Sequence, residues 1–311
     1  KGLLGLITSR VPTAVSVHAA SDFAGQVLAI DTNIFLYSFV AAIRKDSAEL
    51  VDSEGNPTSH IKGILNRTMN LLEAGITPVY VLEGKAPERK STEIQKRKER
   101  KDRIREKLEL AKEYGDEEGV KKFSKQLVNV TKTIVNESEH LLKLLGVPVI
   151  QAPAESESQC AEFCKKGQTD GLITRDMDAL PLACPFMLRN LQSKFELGKK
   201  YTTKIEQISL LEVLDGFQIE IEQFIDLCIL LGCDYTGTIK GVGPSTALDL
   251  IKSHHSIENI IEYLKSKGNG TCEFSKDGFD YVNARELFFK PEVVPGEYFS
   301  PEHFKCYTAD F

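Results

Sequence analysis

The stretch Val27-Leu28-Ala29-Ile30-Asp31 decides the fold, because a short apolar run stops directly at an acidic residue. Three later apolar runs repeat the arrangement, with acids after each: 79–82 before Glu83, 147–150 before Glu155 and Glu157, and 171–174 before Asp176 and Asp178. Unbroken apolar runs of this length are typical of parallel strands that are buried on both faces. The sequence therefore predicts an α/β fold with a mostly parallel central sheet.

Helical segments alternate with the predicted strands, which favours a parallel sheet flanked by helices. The predicted helices cover 33–44, 60–73, 133–145, 155–166 and 221–231, and a hairpin-like region covers 186–201. At 85–132 the composition becomes highly charged. This segment is predicted to be helical, weakly packed and broken near Tyr114-Gly115-Asp116.

Seven acidic residues are candidate metal ligands: Asp31, Glu83, Glu155, Glu157, Asp176, Asp178 and Asp234. In an open α/β sheet the ligand crevice lies outside the carboxyl ends of the strands, so six of them are expected at one sheet edge. The seventh, Asp234, follows an apolar helix. Each pair of acids alone is weak evidence, because acids at helix starts also complement the helix dipole. Their repetition at four strand ends favours a metal site.

A cluster of this size needs compensating charge. Two carboxylates about 4 Å apart repel by roughly 4 kcal/mol at an effective dielectric constant of about 20, so cations or raised pKa values are required. Oxygen-only ligands favour Mg²⁺ or Mn²⁺ over zinc. Two such ions about 3.5–4 Å apart form a clamp for in-line attack on a phosphodiester. The sequence thus predicts a two-metal hydrolytic site.

The net charge of −6 hides a basic segment. From Lys85 to Lys107, eleven Lys or Arg residues stand against five acids, a local charge of +6. A charge run is most often a solvated helical face, but this one lies between two acid-bearing strands. The composition is otherwise that of an ordinary globular protein, and no run approaches a membrane span. The seven cysteines lack paired CxxC spacing, which predicts free thiols in a reducing compartment.

A second candidate element is the segment Ile239-Lys240-Gly241-Val242-Gly243-Pro244-Ser245, which predicts a Gly-x-Gly turn between two helices. Glycines let backbone amides approach a phosphate closely, and the N-terminus of the following helix favours an anion. The alternative is a plain helix–turn–helix corner. A nucleic-acid contact here would be to the phosphate backbone and independent of base sequence.

With these motifs the chain resembles the flap endonuclease family of structure-specific nucleases, in the XPG/Rad2 superfamily. The resemblance rests on stretches that follow the family's order along nearly the whole chain: Gly2-Leu3-Leu4-Gly5-Leu6, Ala29-Ile30-Asp31, Thr58-Ser59-His60, 75–81, 152–157, Asp176-Met177-Asp178, 223–235 and Gly241-Val242-Gly243-Pro244. It implies a PIN-like nuclease core with a helical arch and a helix–two-turn–helix DNA-binding module.

The resemblance also implies how the chain is divided. The implied parts are an N-terminal nuclease domain at 1–101, an arch segment at 102–118 within an arch of about 85–132, an internal nuclease domain at 119–254, and a C-terminal extension at 255–311. The internal domain would contain the helix–two-turn–helix at 235–251.

The activity implied by the resemblance is that of a Mg²⁺-dependent 5′ flap endonuclease and 5′–3′ exonuclease, acting in Okazaki-fragment processing and long-patch base excision repair. The seven acids would hold two Mg²⁺ ions, which Mn²⁺ could replace, and K⁺ would bind at the helix–two-turn–helix. The implied partner is branched double-stranded DNA with a 5′ flap, bound by a monomer in the nucleus, with the mitochondrion as a second location and no membrane association. Binding to a sliding clamp (PCNA) is implied only for a longer protein, because the chain stops at Phe311 before any clamp-binding peptide.

Individual residues match positions with known roles in the family. Lys90 and Arg97 match the catalytic basic pair that contacts the scissile phosphate. Tyr37 matches the aromatic residue that stacks on the unpaired terminal base. The implied DNA-binding residues are Gly2, Tyr37, Arg44, Arg67, Glu155, Gly232, Asp234, Lys240, Gly241 and Gly243.

Two positions depart from the family's pattern. Glu83 stands where the family usually has Asp, so a longer side chain must reach the metal, and Arg175 stands where an acid is common. Two other functions stay open: a related 5′ exonuclease, bubble-cutting or junction-resolving enzyme, and a DNA-binding scaffold without catalysis. The absence of a very long insertion between Glu83 and Glu155 disfavours the bubble-cutting branch. The retained acids and basic pair disfavour the scaffold.

Overall fold

A seven-stranded sheet forms the centre of the protein. The structure is a computed structural model, and it describes residues 2–43, 58–85, 91–127, 130–190, 204–267, 273–275 and 278–306. The strands are β1 (Val15–Ala19), β2 (Val27–Asp31), β3 (Thr77–Leu82), β4 (Val149–Gln151), β5 (Gly171–Ile173), β6 (Phe186–Arg189) and β7 (Lys204–Ser209). Their order across the sheet is β1-β7-β6-β5-β2-β3-β4.

The predicted mostly parallel sheet is confirmed. The neighbouring pairs β2–β3, β2–β5, β3–β4 and β5–β6 are parallel, whereas β7 pairs antiparallel with both β6 and β1. The predicted hairpin-like region at 186–201 begins with β6, which pairs antiparallel with β7, and its residues from 191 onward lie outside the described residues. β1 was not predicted. It is an edge strand without a fully buried residue, so it lacks the continuous apolar run by which the other strands were found.

Helices cover both faces of the sheet. They are α1 (Leu3–Arg10), α2 (Thr32–Ile43), α3 (Ser59–Glu73), α4 (Ser91–Glu113), α5 (Glu117–Gln126), α6 (Lys132–Leu144), α7 (Ser156–Lys165), α8 (Leu210–Phe217), α9 (Ile221–Leu231), α10 (Pro244–His254), α11 (Ile257–Lys267) and α12 (Tyr281–Phe289). The predicted helices at 60–73, 133–145, 155–166 and 221–231 agree with α3, α6, α7 and α9 to within one residue at each end. None of the described helices is both long and apolar enough to cross a bilayer.

The two faces of β2 and β3 belong to two separate hydrophobic cores. Ala29 and Val79 pack into the core that includes α7 and α9, whereas Leu28, Ile30 and Tyr80 pack into the core that includes α3 and α6. Successive side chains of a strand point to opposite faces. Both faces are covered here, which is why the runs 27–30 and 79–82 contain no charged residue.

The charged segment forms a helical hairpin of α4 and α5. It is broken at Tyr114-Gly115-Asp116 as predicted, and Asp116 caps α5 by accepting a hydrogen bond from the Gly119 backbone N–H at 2.8 Å. Leu108 and Ala111 are buried, and the rest of the described part of the segment is mostly exposed. The segment is therefore only lightly packed, as predicted.

Candidate metal centre

The carboxyl ends of β2 and β3 bring the first two candidate ligands to one edge of the sheet. Asp31 is the last residue of β2 and lies opposite Val81 of β3, so Glu83 follows two positions further along the neighbouring strand. Asp31 is 4% exposed, and Glu83 is half-buried. This placement follows directly from the parallel register of the two strands.

Gly84 lets the end of β3 pack closely against the loop that precedes α7. A Cβ atom at Gly84 would overlap the carbonyl oxygens of Ala152 and Pro153. The Gly84 N–H donates to the Ala154 carbonyl at 2.7 Å, and the Lys85 N–H donates to the Pro153 carbonyl at 3.1 Å. This backbone pairing holds the chain after Glu83 beside the first turn of α7.

The first turn of α7 connects the carboxylates of β2 and β3. Glu155 is the N-cap residue, Ser156 is the first helical residue, and Glu157 follows in the first turn. The Ser156 hydroxyl lies 2.8 Å from Asp31 Oδ1 and 2.8 Å from Glu83 Oε2. The Ser156 backbone N–H donates to Glu83 Oε2 at 3.2 Å. One serine therefore contacts acids from two neighbouring strands.

The segment after β5 adds two more acids through a short 3₁₀ turn. The Thr174 hydroxyl lies 3.4 Å from Asp31 Oδ2 and 3.5 Å from Glu157 Oε1. The Asp176 N–H donates to Thr174 Oγ1 at 3.1 Å, and the Asp178 N–H donates to Asp176 Oδ1 at 3.2 Å. These bonds turn the chain so that Asp176 and Asp178 follow the end of the strand at the same edge.

Burial and mutual repulsion raise the pKa values of the two most enclosed acids. Burial raises the pKa of Asp31 to about 7; the Ser156 hydrogen bond lowers it, and the charges of Glu83 and Asp176 raise it further. Burial also raises the pKa of Glu157 well above its usual range, with further contributions from the neighbouring acids Asp176, Asp31, Asp178 and Glu155. The six acids of the sheet edge thus form one electrostatically coupled group.

Asp234 lies on a different element but next to the same edge. Burial raises the pKa of Cys233 to about 11, and both Asp178 and Asp234 add to this rise, so the two acids lie near the same thiol. The neighbouring Tyr235 hydroxyl donates to Glu155 Oε2 at 2.6 Å. The segment after α9 is therefore attached to the acidic edge.

The donor set fits a hard divalent cation. Every candidate ligand is a carboxylate, and oxygen ligands suit Mg²⁺ and Mn²⁺. Burial and repulsion between the acids raise the pKa values of Asp31 and Glu157, and a bound cation would offset both effects. Within the described ranges, no group of three or more His, Cys, Asp or Glu side chains is already arranged so that it could hold a metal ion.

Three hydroxyl-bearing residues of this edge were missed as site residues: Ser156, Thr174 and Tyr235. Each contacts at least one candidate ligand. Their signal in the sequence was their position, since Ser156 separates two glutamates, Thr174 ends a strand, and Tyr235 follows Asp234. Short-range position alone does not show which acid a hydroxyl will contact.

Comparison with known proteins decides the family. The XPG N-terminal domain model matches residues 1–104, and the XPG I-region model matches residues 146–234. Flap endonuclease 1 of Caenorhabditis elegans is 42% identical over 297 residues, which cover 96% of this chain and 76% of that protein. The chain belongs to the flap endonuclease family of the XPG/Rad2 superfamily. Flap endonuclease 1 of Danio rerio is likewise 42% identical over 95% of this chain and 76% of its own length.

Solved structures of the superfamily share the fold. Flap endonuclease-1 from Methanococcus jannaschii is 31% identical, with a TM-score of 0.65 over 91% of this chain and 84% of that chain. The catalytic core of Rad2 in complex with DNA substrate is 24% identical, with a TM-score of 0.68 over 93% of this chain and 86% of that chain. The Rad2 likeness shows the fold alone, and it supports the same central sheet and helices.

Two of the DNA-binding residues expected of a flap endonuclease lie on the helices that follow and flank β2. Tyr37 of α2 is 43% exposed, and Lys101 Nζ of α4 lies 5.8 Å from its ring centroid. Arg67 of α3 is buried, with its guanidinium 4.5 Å from the Phe35 ring centroid, and burial lowers its pKa to about 10. Its Nε and Nη1 have no hydrogen-bond partner among the described residues. Arg44, Lys90 and the side chain of Arg97 lie outside the described residues.

The remaining expected DNA contacts lie around the turn that precedes α10. Gly241 and Gly243 are exposed, and Gly243 is the N-cap of α10, which begins at Pro244 as predicted. Gly2 adopts φ 79°, and a Cβ there would overlap the Pro244 ring, so the start of the chain lies beside the start of α10. Lys240 Nζ is 3.0 Å from Glu273 Oε2 on the surface. Gly232, at φ 94°, ends α9 before Asp234.

The described cysteines of this chain are free thiols, as predicted. Cys160, Cys164, Cys184 and Cys228 are buried and unpaired, and Cys233 and Cys306 are half-buried and unpaired. Cys272 lies outside the described residues.

Proposed function

We propose that this chain is a structure-specific 5′ flap endonuclease with 5′–3′ exonuclease activity. The observation that carries the proposal is the convergence of six carboxylates from three strand ends and the first turn of α7 at one sheet edge, in a member of the flap endonuclease family. Its substrate would be branched double-stranded DNA with a 5′ flap. The protein would act in Okazaki-fragment processing and in long-patch base excision repair.

The acidic edge would hold two divalent ions, Mg²⁺ or Mn²⁺. The proposed ligands are Asp31, Glu83, Glu155, Glu157, Asp176, Asp178 and Asp234. Bound ions of this kind activate a water molecule and stabilise the leaving oxygen of a phosphodiester. The protein's own part is to hold the carboxylates in place: Tyr235 orients Glu155 through its hydroxyl, and the Thr174 hydroxyl contacts both Asp31 and Glu157.

DNA binding is proposed to divide between the duplex and the flap. The exposed amides near Gly241 and Gly243 and the N-terminus of α10 would hold the duplex backbone, with K⁺ bound to main-chain groups between Thr238 and Val242. Arg67 has buried N–H donors without partners among the described residues, and a phosphate would satisfy them. Arg44 and Gly232 would add substrate contacts, Tyr37 would stack on the terminal base, and Lys90 and Arg97 would contact the scissile phosphate.

The finer organisation is proposed on the same basis. The chain would act as a monomer with the domain bounds 1–101, 102–118, 119–254 and 255–311. It would work in the nucleus, with the mitochondrion as a second location. A sliding clamp would be a further partner of the protein.

The cleavage test uses a panel of end-labelled flap, nick, bubble and four-way-junction DNA. We expect the protein to cut the 5′ flap near its junction in Mg²⁺ and to be inactive in EDTA, because the carboxylates alone provide no activated water. Products are measured on a denaturing gel. Absence of flap cleavage in Mg²⁺, or undiminished cleavage in EDTA, would contradict the proposal, and a preference for the four-way junction would favour the junction-resolving alternative.

Mg²⁺ is also expected to raise the melting temperature without any DNA present. An ion at 100 times its dissociation constant stabilises the folded state by about 2.7 kcal/mol, which corresponds to roughly 4 °C for a protein of this size. The measurement is a thermal melt in EDTA and in Mg²⁺, with NaCl at matched ionic strength as the control. An unchanged melting temperature at saturating Mg²⁺ would count against a metal site at the acidic edge.

A further inference from the structure

We propose that Ser156 is a positioning residue that sets the spacing between Asp31 and Glu83 and thereby the affinity of the acidic edge for divalent cations. The inference rests on the proposed metal-dependent function and extends it to a residue that binds neither metal nor DNA. Ser156 is 1% exposed, so its hydroxyl has no access to bulk water. Its contacts are with the acids themselves.

The geometry places the serine hydroxyl between two carboxylates that would otherwise repel each other. Ser156 Oγ is 2.8 Å from Asp31 Oδ1 and 2.8 Å from Glu83 Oε2. Hydrogen bonds from a hydroxyl to a carboxylate are short and stronger than those between neutral groups. The serine therefore holds the ends of β2 and β3 at a fixed separation from the first turn of α7.

Each carboxylate also has a donor besides the Ser156 hydroxyl. A hydroxyl has one proton and can donate it fully to only one acceptor at a time. Glu83 Oε2 also accepts the Ser156 backbone N–H at 3.2 Å, at the start of a helix where the dipole favours negative charge. Asp31 also accepts a hydrogen bond from the Ile34 backbone and has a longer contact with the Thr174 hydroxyl at 3.4 Å. Loss of the Ser156 hydroxyl should therefore loosen the spacing between the two acids without releasing either of them completely.

Side chains that orient metal ligands affect metal affinity even when they do not bind the ion. Removing such a partner typically lowers affinity or activity by about 10- to 100-fold. The Mg²⁺ half-effect is the Mg²⁺ concentration that gives half of the maximal change. We expect Ser156→Ala to raise it by about 10- to 100-fold, both in thermal melts without DNA and in flap cleavage. Cleavage at saturating Mg²⁺ should recover most of the parent rate, because all the carboxylates are still present.

A matched control comes from the same helix. Ser158 is 3% exposed, and its hydroxyl contacts no acidic side chain among the described residues. Ser158→Ala should therefore leave the Mg²⁺ half-effect within about twofold of the parent. Ser156→Thr keeps the hydroxyl and should stay closer to the parent than Ser156→Ala. Flap binding in EDTA should be unchanged in all three variants, since none of them alters a charge.

The decisive measurement is the Mg²⁺ titration of the melting temperature. An unchanged half-effect in Ser156→Ala overturns the proposal, and so does an equal shift in Ser156→Thr, because the hydroxyl would then have no specific role. Failure of the parent to cleave flaps would contradict the proposed function but not this inference, since the melting titration needs no DNA. If Ser156→Ala does not fold, Ser156→Cys takes its place, because a thiol has a similar size but is only a weak donor: a raised Mg²⁺ requirement in the thermal melts supports the proposal, and a requirement equal to that of the parent overturns it.

Discussion

Replacement of Asp31 by asparagine is expected to lower flap cleavage at least about a hundredfold while raising the melting temperature of the metal-free protein. Removing a group that merely supports a metal ligand already costs about 10- to 100-fold, so removal of a ligand charge should cost no less. The gain in stability arises because Asp31 is buried beside other acids. Asparagine has nearly the same shape, and its oxygen can still accept the Ser156 hydroxyl.

The stability gain should depend on pH in a defined direction. Burial raises the pKa of Asp31 from 3.8 to about 7. Because the folded-state pKa of Asp31 is the higher one, the parent protein has its full free energy of unfolding below the unfolded-state pKa. It loses part of that free energy as the pH rises toward the folded-state pKa. The advantage of Asp31→Asn should therefore grow between about pH 4 and pH 7 and then level off. The gain in the free energy of unfolding is at most about 4 kcal/mol, because each unit of pKa difference corresponds to about 1.4 kcal/mol.

A matched control for this variant lies just before β5. Asp170 is exposed, and its Oδ2 accepts the Val27 backbone N–H at 2.7 Å. Val27 is the first residue of β2 and Asp31 is the last, so Asp170 lies at the opposite end of the strand from Asp31. Asp170→Asn keeps an acceptor there and should cleave flaps like the parent. The measurements are single-turnover cleavage in Mg²⁺ and thermal melts in EDTA from pH 5 to pH 8. An Asp31→Asn protein that cuts normally, or that melts below the parent at pH 8, would contradict the expectation.

Replacement of Arg285 by alanine is expected to destabilise the protein by about 3–5 kcal/mol, because it leaves a buried carboxylate without its partner. Arg285 of α12 donates from Nε to Asp226 Oδ1 at 2.7 Å and from Nη2 to Asp226 Oδ2 at 2.8 Å. The side chain of Asp226 is only 5% exposed. Burial raises the pKa of Asp226, and the Arg285 hydrogen bonds oppose that rise. The pair joins α12 to α9, the helix that leads to Asp234.

The expected fall in melting temperature is roughly 5–8 °C. Glu258 also accepts two hydrogen bonds from Arg285, at 2.9 and 3.0 Å. Glu258 is partly exposed, so solvent screens this ion pair and reduces its contribution to stability. Arg285→Met with Asp226→Asn should recover part of the loss, because no buried charge is left unpaired. Lys290→Ala, at the exposed end of α12, is the surface control. An Arg285→Ala variant that melts at the same temperature as the parent would refute this account. So would an Arg285→Met, Asp226→Asn double variant whose loss of stability equals the sum of the losses in the two single variants.

Much of the fold follows from local patterns because the strands are buried on both faces. Leu28 and Ile30 face one core and Ala29 faces the other, so β2 is apolar up to Asp31 and was found directly. The acids could be placed at one edge because parallel strands end together. The edge strand β1 was missed, because an exposed strand carries no such run and owes its pairing to a distant neighbour.

The sequence by itself determined the parallel core, the helices between its strands and the acidic residues at the strand ends, because hydrophobic periodicity and acid position are local properties. Only the tertiary structure decided which groups hold those acids. Ser156 lies 125 residues from Asp31 along the chain, and Tyr235 lies 80 residues from Glu155. Contacts across such separations depend on strand register and helix placement. A hydroxyl in the sequence therefore acquires its role only when the sheet brings its carboxylate within hydrogen-bonding distance.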